Sequence, residues 1–283
     1  MNTETHYLSR LIGISFLLLL PLSVTPAHAT LAWEPVVVKK KDGASHGRRG
    51  PKLFQLNEAT ASEASLWKPT LEVNELTLSE HHGSMLYAVK STGMDNYHAL
   101  VAERETANRI DAAIRYVYMN GKPSGASPSR LTAAVKTTFE IIPAPLPREH
   151  RRYHANHDAV FVVRHEDKLL IDTTVTLTTS LGSTITSTTD RNGAVRFTLP
   201  DDFAETKPGR RANRPAEFVL SSEHQADGIT YGTSYSAAYH VDPAHWKSLE
   251  LGIAVLGIGF ISGLVMTRRG KQAPTTKKQG KKA

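Results

Sequence analysis

The chain has 283 residues, no cysteine and a formal charge of +7. Without thiolates, disulfides are excluded, as are cysteine-ligated zinc and iron-sulfur centres. The charge is not a nucleic-acid footprint: Arg268, Arg269, Lys271, Lys277, Lys278, Lys281 and Lys282 follow Thr267 without an acidic neighbour, and the rest of the chain sums to zero. In chain order, Arg10 precedes an apolar core from Leu11 to Val24, and Ala27-His28-Ala29 supplies a small-residue cleavage site. Residues 1–29 therefore read as a signal peptide, with Thr30 the first mature residue; uncleaved, the segment would be a second anchor.

Residues 30–145 read as an irregular, β-rich region. Trp33-Glu34-Pro35 and Val36 to Val38 open it, and Lys39 to Lys52, with three glycines and Pro51, reads as a polar loop. Alternating apolar residues predict strands over 71–78, 84–90, 97–102 and 112–119, with a helical turn across 103–111 and a loop across 123–129. Phe139 to Ile142 predicts a short strand stopped by Pro143, Pro145 and Pro147, and a domain boundary is placed there. Residues 146–245 are more regular. Ala159 to Arg164, Leu169 to Thr179 and Ser183 to Thr189 are rich in β-branched residues. Asp190 to Gly193 predicts a tight hairpin, followed by Val195, Phe197 and Leu199 alternating onto one face. With strands at Ala216 to Ser221 and Gly232 to Val241, the spacing predicts an Ig-like β-sandwich.

Residues 246–267 close the folded part. From Leu251 to Met266 no residue is charged, and the run approaches the roughly 20 residues a transmembrane helix needs. The all-basic segment 268–283 then reads as a cytoplasmic tail by the positive-inside rule. The expected fold class is thus mainly β, an irregular N-terminal region followed by an Ig-like sandwich, plus one C-terminal transmembrane helix. The expected location is the inner membrane, single-pass, contacting the lipid bilayer through residues 246–267, with the bulk of the chain in the periplasm.

Thr189-Asp190-x-x-Gly193-x-x-x-Phe197-x-Leu199, together with Phe139-Glu-Ile-Ile-Pro143, resembles the bacterial envelope family known as DUF4198. The Trp33-Glu34-Pro35 opening after the cleavage site and the single C-terminal span fit the same pattern. The resemblance implies a periplasmic accessory component of nickel or cobalt uptake, partnered with membrane transporter subunits. Members often begin the mature chain with a histidine close before the tryptophan segment; Thr30, Leu31 and Ala32 stand there instead.

Eleven histidines follow the cleavage site, at 46, 81, 82, 98, 150, 154, 157, 165, 224, 240 and 245. Neutral imidazole suits nickel, cobalt, zinc and copper, and is the best ligand this composition offers. His150-x3-His154-x2-His157 would place three imidazoles on one face if the stretch made two helical turns, and Asp158 would add an oxygen. Arg148, Arg151 and Arg152 oppose a cation there. Glu80-His81-His82 sets a carboxylate beside two imidazoles in a turn; the alternative for both groups is a solvated loop. His98 and His240, inside predicted strands, read as packed or surface residues. H-E-x-x-H and the P-loop pattern are absent from the sequence, and a non-enzyme is expected. The alternative function is an envelope structural or protein-interaction module.

Overall fold

The computed structural model describes residues 31–37, 51–57, 63–81, 83–147, 152–209, 212–245 and 249–270. The expected signal peptide, most of the Lys39 to Lys52 loop, Trp246 and the basic tail beyond Gly270 lie outside the described residues.

The β-branched and aromatic alternation folds into strands along most of the chain. The first half forms β1 (Trp33–Val36), β2 (Lys52–Leu56), β3 (Glu63–Trp67), β4 (Val73–Glu75), β5 (Leu78–His81), β6 (Ser84–Val89), β7 (Met94–Thr106), β8 (Arg109–Met119) and β9 (Lys122–Pro123). A short helix, α1 (Pro128–Ala133), starts where the Ser127 hydroxyl accepts the Ser129 N–H and Pro128 presets the first turn. Then come β10 (Phe139–Pro143), β11 (Tyr153–His154), β12 (Asp158–His165), β13 (Lys168–Leu169), β14 (Thr174–Thr179), β15 (Thr184–Thr188), β16 (Ala194–Thr198), β17 (Ala216–Ala226) and β18 (Ile229–His240). A 3-10 turn at Pro243–His245 leads towards α2 (Leu249–Gly270).

These strands stack as three layers. The middle layer is a ten-stranded sheet containing the run β15-β14-β17-β18-β8-β7-β3-β4. Strand periodicity gives it two apolar faces. Ala99, Val101, Ile114, Tyr116, Phe218, Leu220, Tyr235 and Tyr239 point to one side, where they meet Phe139 and Ile141 of β10, Phe161 and Val163 of β12, and Val195 and Phe197 of β16. The interleaved Leu100, Ala102, Ala113 and Val117 point to the other, where they meet Trp33, Phe54, Tyr87 and Val89 of the β1-β2-β6-β5 sheet. The fold is mainly β, and its second half is a sandwich of packed sheets.

The boundary expected near residue 145 falls between β10 and β11, and pairing runs across it. β8 lies parallel to β18, and β10 is antiparallel to β12. Both halves thus contribute to one core.

Several local expectations are corrected. Residues 103–111 form no helical turn: β7 and β8 continue as a hairpin to the Thr106–Arg109 pair, with Arg104 reaching Asp111 at 2.9 Å across the ladder. At Asp190 to Gly193 the turn chemistry is as read, with Gly193 at φ +65° and Asp190 Oδ1 accepting the Asn192 and Ala194 N–H groups. The strands it joins do not pair, however: β15 pairs with β14 and β16 with β12. The turn hands the chain from one sheet to the next because Phe197 and Val195 belong to the facing layer. The continuous strand expected over 169–179 breaks where Asp172 takes φ +53°, and the loop expected over 123–129 ends in α1.

In α2 the side chains from Gly252 to Thr267 are exposed, among them Ile253, Leu256, Ile258 and Phe260. The helical backbone runs Leu249–Gly270, and among the described residues no helix is long and apolar enough to cross a membrane.

Candidate metal-binding rim

From Arg152 onward, the segment that carries the predicted ligands His154, His157 and Asp158 is not helical. β11 runs parallel to the end of β18, setting Tyr153 against Tyr239 and His154 against His240. Asn156 at φ +61° then reverses the chain into β12. The two-turn helical face expected for His150, His154 and His157 therefore does not arise over the described residues, and His150 lies outside them.

The turn nevertheless brings imidazoles together. The rings of His154 and His157 are 5.8 Å apart, and His154 and His240 are 5.9 Å apart. His154 Nδ1 lies 3.0 Å from the Val241 carbonyl oxygen. A carbonyl only accepts, so Nδ1 carries the hydrogen and the lone pair of the neutral ring is on Nε2. His157 Nε2 is 3.7 Å from Asp242 Oδ1, and His245 Nε2 is 2.7 Å from Asp201 Oδ2. The Ala244 N–H holds the Asp242 carboxyl below its usual range, so the rim carries fixed negative charge beside its imidazoles. Among the described residues Arg152 opposes it: its Nη1 lies 3.1 Å from His240 Nε2.

The other predicted ligands sit elsewhere. Asp158 turns away from the rim to accept from the Thr198 hydroxyl at 2.7 Å and from Arg196 at 3.2 Å. These bonds, Thr198 first, keep its carboxyl low. His81 is on β5 in a different sheet, with Nε2 3.0 Å from Ser79 Oγ; His82 lies outside the described residues. Among the described residues no three His, Asp or Glu side chains close on one point, so the rim is a chain of pairs centred on His154. His98 is fully buried between Thr92 Oγ1 at 2.6 Å and the Asn96 carbonyl at 3.1 Å, and burial lowers its pKa. It is a packed histidine, as read.

Sequence reasoning missed His240 and His245 as rim members, and it missed a further pair, His165 and His224, with rings 4.9 Å apart. No local spacing signals either grouping; both depend on which strands become neighbours. Beside the rim opens a cleft of about 1020 Å³ whose lining includes Tyr97, Tyr118, Tyr153, Arg115, Arg152 and His240. Its basic groups are already engaged: Arg115 binds Glu217 at 2.7 Å and Lys52 donates to the Tyr118 carbonyl at 2.7 Å.

No family model matches the chain, and neither does any curated protein. The likeness to DUF4198 therefore rests on the residues quoted for it. Among solved structures, the D0-D1 domain of Intimin is 13% identical, covering 66% of this chain and 89% of that one at a TM-score of 0.23. A two-domain fibronectin type III segment of chicken tenascin is 9% identical, covering 72% and 98% at 0.22. An ice-binding, calcium-stabilised adhesin of an Antarctic bacterium is 17% identical, covering 69% and 44% at 0.24. At such scores the likeness carries no weight, and the fold stands on its own strand pairing.

Proposed function

We propose that the chain is a non-enzymatic, membrane-anchored accessory component of transition-metal uptake, holding nickel or cobalt at the periplasmic face for a membrane transporter. The observation that carries the reading is the rim. His154, His157, His240 and His245, with Asp201 and Asp242, gather where the sandwich ends, and three of them, His240, Asp242 and His245, lie within ten residues of the start of α2. Neutral imidazoles with a nearby carboxylate suit borderline divalent ions. A site assembled from pairs favours release as well as capture, which a hand-over protein requires. The anchor in this reading is α2, whose exposed apolar side chains include Ile253, Leu256, Ile258 and Phe260, with the basic residues that follow it in sequence setting its orientation. Tethering confines the rim to the transporter's vicinity and raises the local ion concentration there.

The test is calorimetric titration of the detergent-solubilised full chain with Ni(II), Co(II), Zn(II) and Cu(II), set against His154→Ala/His157→Ala/His240→Ala. Loss of a nickel or cobalt site in the triple variant is the expected result. Unchanged uptake overturns the reading.

A second reading, a protein-interaction module, is favoured by one feature. From Thr173 to Thr189 no residue is charged, and β15, with Thr184, Ile185, Thr186 and Thr188 exposed, forms a sheet edge without the charge or proline that usually protects one. Such an edge accepts an added strand. Ile185→Lys would abolish partner capture under this reading and leave metal uptake untouched.

A further inference from the structure

The pair His165 and His224 bridges two layers. His165 ends β12 in the small sheet, where it pairs with Phe139 of β10. His224 lies on β17 of the ten-stranded sheet, opposite Tyr231 of β18. The imidazole rings are 4.9 Å apart, inclined at 53°, and the Tyr231 ring is 4.7 Å from His165. Phe139 backs both, at 6.3 Å from His165 and 5.9 Å from His224.

Two features separate this pair from ordinary aromatic packing. The Nε2 of His165 is buried and has no hydrogen-bond partner among the described residues, an unfavourable state unless something else satisfies it. The spacing also fits a shared ion. With metal–nitrogen bonds of about 2.0–2.1 Å, two imidazoles bound side by side to one ion have ring centres roughly 4.5–5.2 Å apart. The flanking charges are spent elsewhere: Arg164 reaches Glu140 at 2.8 Å, and Glu223 reaches Arg109 at 2.7 Å. Glu166 is an exposed carboxylate, 4.0 Å from Lys168.

We propose that His165 and His224 form a two-imidazole clamp for one divalent transition-metal ion, Cu(II) or Zn(II) being the best matched, with water completing the coordination. The ion joins β12 to β17 and so ties the small sheet to the large one. The clamp lies on strands distinct from the rim and does not depend on it.

The test uses the detergent-solubilised full chain carrying His154→Ala/His157→Ala/His240→Ala, so that the rim is removed. Cu(II) added at one equivalent should give an electron paramagnetic resonance spectrum with hyperfine structure from two nitrogens, and Zn(II) should raise the thermal midpoint in a concentration-dependent way. Adding His165→Phe/His224→Phe, which keeps the aromatic packing, should abolish both signals while leaving the metal-free midpoint nearly unchanged. If the two-nitrogen spectrum and the zinc shift persist in the phenylalanine variant, or are absent before it is made, the pair is packing alone and the clamp is refuted. Neither result bears on the rim, whose own titration is separate.

Discussion

Arg164 and Glu140 face each other across the β10–β12 ladder with both side chains inside the protein. The guanidinium donates Nε and Nη2 to Glu140 Oε2 at 3.2 and 2.8 Å, and the Glu140 side chain has no exposure. The other carboxylate oxygen accepts the backbone N–H groups of Lys136 and Thr137, and Arg164 continues to the Ala133 and Ala134 carbonyls at the end of α1. One buried ion pair thus closes the loop between α1 and the small sheet. Removing one partner strands a charge, so Glu140→Gln should cost about 3–5 kcal/mol. Glu140→Leu/Arg164→Met should recover part of that loss. Urea midpoints of the two variants decide it: equal destabilisation would mean that the carboxylate serves only the backbone N–H groups.

Lys136 belongs to the same network, and its amine makes the stability depend on alkaline pH. Burial lowers its pKa from 10.5 to about 8, Glu140 working against that shift and Arg164 with it. Between pH 8 and 10.5 the unfolded chain holds a proton the folded one has released, so stability rises with pH across that window. The buried tyrosines act with the opposite sign. Tyr239 is pushed up to about 12, chiefly by burial, so above pH 10 the unfolded chain loses protons the folded one keeps, and stability falls. The expected profile climbs from pH 8 towards 10 and declines beyond. Thermal midpoints across pH 7–12 report it, and Lys136→Met should flatten the climb alone.

How much of this was legible in the sequence follows from the range of each interaction. The alternation at Val195, Phe197 and Leu199 is local, and all three side chains are buried at 3% exposure or less. The β7–β8 hairpin tip was hidden because Glu103, Arg104 and Glu105 run past the core, where period-2 burial fades and a polar run resembles a turn. The sheet change at Asp190 to Gly193 was hidden because turn chemistry fixes the reversal and not the partner. The rim depends on β11 lying beside β18, and the clamp pairs residues from strands of different sheets. Neither leaves a periodic trace. Glu140, in a strand read as Phe-Glu-Ile-Ile, gave no sign that its carboxylate is an internal hub.

Gly193 is the point at which the turn allows only one residue. Its φ is +65°, and a Cβ there would lie 2.9 Å from Leu169 Cβ and 3.2 Å from the Val163 carbonyl oxygen. That carbonyl belongs to β12, whose Val163 N–H donates to Gly193 O at 2.9 Å. Gly193→Ala adds backbone strain to a clash, and a loss of roughly 1–3 kcal/mol is expected. Asp190→Ala, which removes the acceptor for two turn N–H groups, should cost about 1 kcal/mol. Chemical denaturation separates them; a Gly193→Ala variant as stable as the parent would show that β13 yields freely.

The last prediction concerns how the first strand is held. Leu31 is fully buried and Trp33 nearly so, only two and four residues beyond the expected cleavage site after Ala29. Trp33 packs edge-on against Tyr87 at 5.1 Å and Phe54 at 6.4 Å, and its Nε1 donates to the Ala113 carbonyl at 3.1 Å. The Ser234 and Ser236 hydroxyls donate to the Leu31 and Trp33 carbonyls. Because β18 turns its tyrosines to the opposite face, these serines are what the sheet offers β1. Trp33→Ala should cost about 3–5 kcal/mol through the cavity left in the second core, whereas Trp33→Phe should keep most of the packing and lose about 1 kcal/mol with the indole hydrogen bond to Ala113. Ser236→Ala should weaken β1 by a similar, smaller amount. Hydrogen exchange resolves the cause: in Ser236→Ala, protection should fall along β1 and β2 while β14 and β17 keep theirs, and a uniform fall would mean that β1 is not an element the serines hold separately.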